Sequence, residues 1–171
     1  TFSTVSDMFT VFEPDDLLFY EQTYLKDPAE KRGVDGNLWI WEQPDYTKSY
    51  MVVADVSRGD SADYSTFHVL NTEKQTVAVE FKGKIPPDHF ASLIYDIAKR
   101  FNNAQICPEN NAYGYSVLTK LADLAYKNIY FSSEKEKYSY LYGEGANIGK
   151  AGFNTNKESR ELILANFEES L

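Results

Sequence analysis

Asp55 and Glu109 each close a short apolar run, and each is followed at once by a polar turn. Asp55 ends the run YMVVAD and is followed by VSRGDSAD; Glu109 ends AQICPE and is followed by NNAYG. A carboxylate leaving a strand loses hydration, which costs several kcal/mol unless hydrogen bonds or a cation compensate. Alone, such an Asp serves equally well as an acceptor for turn N–H groups. Such a Glu, alone, reads as a solvated loop acid. On neighbouring strand ends the two together make a hard-oxygen site. Mg²⁺ and Mn²⁺ prefer carboxylate and water oxygens. Two such ions about 4 Å apart activate a water and stabilise the leaving oxygen of a phosphodiester. That chemistry needs neither a histidine pair nor a nucleophile triad, and the two His and one Cys of this chain offer neither.

The elements that would position these acids follow from hydrophobic pattern. Tyr50 to Val56 is apolar on both alternating faces, which predicts a central strand covered on each side. Strands are expected at 64–70 and 75–81, making a three-strand meander. Pro86-Pro87-Asp88 then opens a helix with Phe90, Leu93, Ile94, Ile97, Ala98 and Phe101 at helical spacing. Residues 104–109 read as a fourth strand, 110–114 as a turn, 115–126 as a helix, and 129–131 as a short strand. Residues 132–155 read as polar and irregular, and 156–169 as a last helix. Earlier, Pro14-Asp15-Asp16 marks a helix start, and 38–41 a short strand. Three antiparallel strands followed by alternating units predict an α/β mixed sheet flanked by helices. A right-handed crossover can set the fourth strand parallel beside the first, bringing Glu109 next to Asp55.

Composition bounds the function. At 43% hydrophobic and 15% aromatic, 171 residues make a folded domain rather than a disordered chain. No apolar run is long enough to span a bilayer, and the start TFSTVSDMF has no signal-peptide pattern. Cys107, alone, excludes an internal disulfide and a cysteine-built zinc site. The net charge of −9 argues against broad nucleic-acid affinity, but it is unevenly spread. Residues 1–46 hold ten acids against three bases, a balance of −7, and the remainder sixteen against fourteen, a balance of −2. DNA is therefore not excluded as a substrate of the later part.

Four stretches carry a resemblance: GNLWIWEQPD (36–45), MVVADVSRGDSADYSTFHVL (51–70), PPDHFASLIYDIAKRFNNAQICPENNAYG (86–114) and ANIGKAGFNTNKESRELIL (146–164). Together they resemble the C-terminal nuclease domain of the large terminase subunit of tailed bacteriophages, which has a ribonuclease H-like fold. The resemblance implies residues 36–171 as the nuclease domain and 1–35 as a lead-in and linker from an ATPase motor domain. It implies Asp55 and Glu109 as catalytic metal ligands for Mg²⁺ or Mn²⁺, and Asp63 of the DYS turn as an auxiliary metal group. It further implies cleavage of concatemeric viral double-stranded DNA in the cytoplasm of an infected bacterium. The implied partners are the ATPase domain, the portal protein and the small terminase subunit. The family's third acid has no counterpart before Leu171, so the expectation is a truncated chain or an incomplete site.

Arg58, Lys150, Lys157 and Arg160 are the candidate contacts to DNA phosphates, the last three in a segment rich in Asn. Solvated loop and helix positions explain any one of them as well. Arg58 can pair with Asp60, with Asp63 or with a phosphate. His68 and His89 read as structural or surface groups. Two other classes compete. An actin- or sugar-kinase-like nucleotide-binding lobe also opens with a meander and an Asp, but Ser57 stands where its phosphate turn needs glycine. A non-catalytic acidic interaction module would use the N-terminal charge alone.

Overall fold

The computed structural model describes residues 12–60, 63–143 and 147–169; residues 1–11 of the expected lead-in lie outside them. These residues fall into two compact units, a larger one between 28 and 154 and a smaller one from 12–27 and 155–169.

The larger unit is built on six strands: β1 (Glu30–Arg32), β2 (Leu38–Ile40), β3 (Tyr50–Asp55), β4 (Ser65–Asn71), β5 (Thr76–Gly83) and β6 (Gln105–Pro108). They form one mixed sheet in the order β1-β2-β5-β4-β3-β6. β3, β4 and β5 are the expected antiparallel meander. β6 returns parallel to β3 through a helical crossover, with Val52 opposite Ile106 and Ala54 opposite Pro108. β1 and β2 extend the sheet beyond β5. β1, with the sequence EKR, has no apolar signal and exists through its pairing with β2.

One sheet face is dry. Val52, Phe67, Val69 and Val79 are fully buried there. Helix α2 (Pro87–Arg100) lays Phe90, Ala91, Ile94, Ile97 and Ala98 into the core. Burying each large side chain contributes about 1.5–3 kcal/mol. Phe67 stacks on Phe81 at 5.3 Å, and Phe90 sits about 6 Å from both rings. Pro87 suits the first turn of α2 because its missing N–H would be unpaired there anyway. Asn102 and Asn103, both at positive φ, turn the chain out of the helix. Asn102 Nδ2 donates to the carbonyls of Tyr46 and Lys48.

Several expectations need correction. β3 is not buried on both faces: Tyr50, Val52 and Ala54 are buried, Met51 and Val53 half-buried, and Asp55 exposed. The turn expected at 110–114 is largely the first turn of helix α3 (Ala112–Asp123), because Asn111 caps it. Residues 129–131 form isolated bridges, Ile129 to Ile106 and Phe131 to Ala151, instead of a strand. The polar stretch after 132 contains helix α4 (Glu134–Tyr142) and a 3₁₀ turn at Ile148–Lys150. α4 buries no residue completely but docks through Tyr140, whose hydroxyl donates to the Tyr126 carbonyl and whose ring lies 5.4 Å from Phe131.

The smaller unit contains helices α1 (Pro14–Tyr24) and α5 (Lys157–Glu169). Phe12 and Phe167 meet edge to face at 5.2 Å. The apolar side chains of these two helices are largely open: Leu17, Leu18, Leu162 and Phe167 are all about half exposed or more. Among the described residues, no helix is long and apolar enough to cross a membrane.

Candidate metal centre

Asp55 and Glu109 are brought together by sheet register. The parallel ladder runs Val52–Ile106, Val53–Cys107, Ala54–Pro108, and one further step sets Asp55 beside Glu109. The Glu109 N–H donates to the Ala54 carbonyl at 2.8 Å, continuing the ladder across that step. Both carboxyls point to the sheet face opposite the buried Val52 and Ala54, since side chains alternate along each strand. They are close enough for a hydrogen bond between them.

That proximity changes the proton affinity of Asp55. Partial desolvation is the largest cause raising its carboxyl above the ordinary Asp value; the Glu109 charge and the shared hydrogen bond come next, and the Asp63 charge adds a smaller push. The Val56 N–H opposes them. Two like charges in one place disfavour double ionisation, and a cation between them removes the penalty.

Glu109 is oriented from behind by Asn111. The Asn111 Oδ1 accepts from the N–H groups of Tyr113 and Gly114, capping α3. Its Nδ2 donates to Glu109 Oε2 at 3.1 Å. One side chain thus fixes both the helix start and the carboxylate. Gly114 is required by contact: a Cβ there would overlap the Glu109 carbonyl oxygen. Asn110 grips the other side, its Nδ2 donating to the carbonyls of Gly149 and Ala151 at 2.8 and 2.9 Å.

Asp55 opens into a cavity of about 520 Å³ lined also by Ser57, Arg58, Asp63, Tyr64 and Tyr113. The turn beneath is tied by Ser65, whose buried Oγ accepts from the Ser57 N–H at 3.0 Å. Gly59, at φ +84°, passes so close to the Ile85 carbonyl that no side chain fits.

The other sequence candidates are distributed as follows. Asp63 lines the same cavity as Asp55. Arg58 pairs with Asp60 at 3.1 Å, and both are exposed. Lys150 is exposed and lies between the two carbonyls held by Asn110, the residue after Glu109. Lys157 and Arg160 are exposed on α5, in the smaller unit, where Lys157 approaches Glu161 at 3.9 Å. His68 pairs with Glu80 and His89 lies near Asp88, both at the surface. Sequence reasoning gave Asn111 and Gly114 no role beyond a turn. The signal was present, since Asn directly before an apolar-periodic run is a helix start. Among the described residues, no three His, Cys, Asp or Glu side chains converge to hold a metal ion.

A meander with a fourth strand parallel to its first, flanked by helices, is the ribonuclease H-like fold. Within that class the chain has the fold of large terminase nuclease domains. It matches the large terminase nuclease of thermophilic phage G20c with bound magnesium at a TM-score of 0.65 and 15% identity, covering 95% of this chain and 70% of that one. The same nuclease with bound cobalt matches at 0.64 and 15%, with the same coverage. A third structure of the nuclease matches at 0.56 and 15%, covering 84% and 63%. No protein-family model matches the sequence, and comparison with curated proteins finds no match.

Proposed function

We propose that this chain is the divalent-metal-dependent endonuclease domain of a phage DNA-packaging terminase, cutting concatemeric viral DNA. The observation that carries this reading is the contact between the Asp55 and Glu109 carboxyls on adjoining parallel strand ends. The fold likeness to nucleases bound to magnesium and cobalt supports it.

The residues present fit a hard cation. The donors are all oxygen, and Mg²⁺ is commonly held by one or two carboxylates with waters completing the shell. Asp55 and Glu109 would hold the ion, with Asp63, which shares a cavity with Asp55, as an auxiliary acid. A bound divalent ion supplies an activated water and neutralises charge on the scissile phosphate. Asp55 must shed its proton to serve as ligand, and its raised proton affinity makes that step pH-dependent. Asn111 keeps Glu109 turned toward Asp55. Arg58, Lys150, Lys157 and Arg160 are the DNA-phosphate contacts of the proposal. Two-ion hydrolysis is the finer form of the reading, and it calls for an acid beyond those assembled here. The ATPase motor domain, portal protein and small terminase subunit are the proposed partners, in the cytoplasm of an infected bacterium.

The test is nicking of supercoiled plasmid with Mn²⁺, paired with Mn²⁺-induced thermal stabilisation. Asp55→Asn and Glu109→Gln should each abolish both while the far-ultraviolet spectrum is unchanged. Cleavage at the wild-type rate in either variant would sink the assignment.

A further inference from the structure

The sheet register that joins Asp55 to Glu109 continues in the other direction to a lysine. Asp55 is opposite Thr66 on β4, and Thr66 is opposite Lys82 on β5. Directly opposed residues point to the same sheet face. One row across four strands therefore reads Glu109, Asp55, Thr66, Lys82, with acids at one end and a base at the other. Two strand spacings separate Asp55 from Lys82, about 10 Å. Lys84 follows just past the end of β5.

Tyr64 marks the boundary between these halves. It lines the carboxylate cavity and also a second cavity of about 660 Å³, which includes Lys82, Lys84, Asn37, Phe81 and Leu93. The two cavities are thus neighbours across one ring. Lys82 Nζ and Lys84 Nζ lie 5.0 and 5.2 Å from the centre of that ring. Tyr64 is 46% exposed, so an accessible aromatic residue stands beside two ammonium groups. Neither lysine has an ion-pair partner among the described residues, in a chain where acids outnumber bases by nine. Unneutralised cations over an exposed aromatic ring, beside a carboxylate site, match the chemistry of a nucleic-acid strand: phosphates for the ammoniums, and a sugar or base for the ring.

We infer that Tyr64, Lys82 and Lys84 form a DNA-binding groove that holds the phosphate backbone beside the Asp55–Glu109 centre. The inference rests on the nuclease reading for the identity of its ligand. The 10 Å between Asp55 and Lys82 corresponds to about three nucleotides at roughly 3.4 Å of rise each. The groove therefore engages phosphates displaced from the cleaved bond, and sets which stretch of backbone reaches the carboxylates. Cation and carboxylate are kept apart by Thr66, so the lysines do not neutralise the metal ligands.

The test is fluorescence anisotropy with a labelled 20-base-pair duplex in EDTA, where no cleavage occurs, using the full chain. Lys82→Ala with Lys84→Ala should lower affinity at 0.1 M salt by up to about 60-fold and flatten the log–log salt slope by about 1.8, at about 0.9 per phosphate contact. Lys99→Ala with Lys127→Ala is the charge-matched control. Lys99 lies near the C-terminal end of α2 and Lys127 beyond that of α3, away from the end of β3 that carries Asp55. An equal loss in both double variants, or no binding by the wild type, would overturn the groove. Plasmid nicking by the same proteins separates the two readings. Groove-dependent binding without nicking sustains the groove and removes the nuclease; nicking with affinity indifferent to Lys82 and Lys84 does the reverse.

Discussion

Asn111 performs two jobs with two ends of one amide, and two substitutions can separate them. Its oxygen caps α3 through the Tyr113 and Gly114 N–H groups. Its nitrogen holds Glu109 Oε2. Asn111→Ala loses both. The cap is worth about 0.5–2 kcal/mol. The lost bond to Glu109 adds less than a buried charged hydrogen bond would, because Glu109 is half-buried and water can replace the donor. A total of about 1–2 kcal/mol lowers the melting temperature by roughly 2–8 °C in a chain of this length. Asn111→Ser keeps a good cap, so its stability should stay within about 0.5 kcal/mol of wild type. Its hydroxyl is engaged by the helix and carries no amide to reach Glu109. Outer partners of metal ligands typically matter 10- to 100-fold in affinity or activity. Both variants should therefore lose Mn²⁺ affinity and nicking rate by similar factors, while only the Ala variant melts early. Unfolding in EDTA and Mn²⁺ titration of the same samples provide the comparison. A Ser variant with wild-type Mn²⁺ affinity refutes the orienting role; an Ala variant with wild-type stability refutes the cap.

The raised Asp55 carboxyl gives a stability signature in the absence of metal. The folded state holds that proton to higher pH than the unfolded state, so this contribution is present at low pH and is lost as pH rises through the folded value. Asp55→Asn should then melt above wild type at neutral pH in EDTA and show a flatter pH dependence; a lower melting temperature there would contradict the like-charge account. Gly114→Ala drives a methyl into the Glu109 carbonyl, and overpacking of that kind costs about 1–3 kcal/mol. Its urea midpoint should fall together with Mn²⁺ affinity, and an unchanged midpoint would show that α3 can step back freely.

Pattern revealed the frame of the site and left out its fittings. The meander and crossover were legible because apolar alternation and helical spacing are strong in β3, β4, β5 and α2. That sufficed to pair Asp55 with Glu109 before any coordinates. The start of α3 was misplaced because AYGY mimics a turn, and only the bonds from Asn111 reveal that it is wound. α4 has almost no apolar period, and its place depends on Tyr140 reaching Tyr126, a contact no local window contains. The Thr66–Lys82 pairing was equally hidden: register between β4 and β5 passes through an irregularity at Val69–Leu70, which sequence does not announce. Asp63 entered through family likeness, and the structure adds its place in the cavity wall.

The sheet's two margins have unequal fates. Along β6 the chain returns on itself: Ile106 bonds with Asn128 and Tyr130, and Phe153 bonds with Pro108 and Asn110. That margin is stitched shut by the molecule's own later residues. The opposite margin is β1, three residues long and charged at each one, with Arg32 held to Glu30 and Lys31 folded over Trp39. Short charged margins resist pairing with a neighbour's strand. Crowded copies of this chain are therefore denied the ladder-to-ladder joining by which open sheets polymerise, and the molecule can expose its acidic cavity without also exposing a template for aggregation.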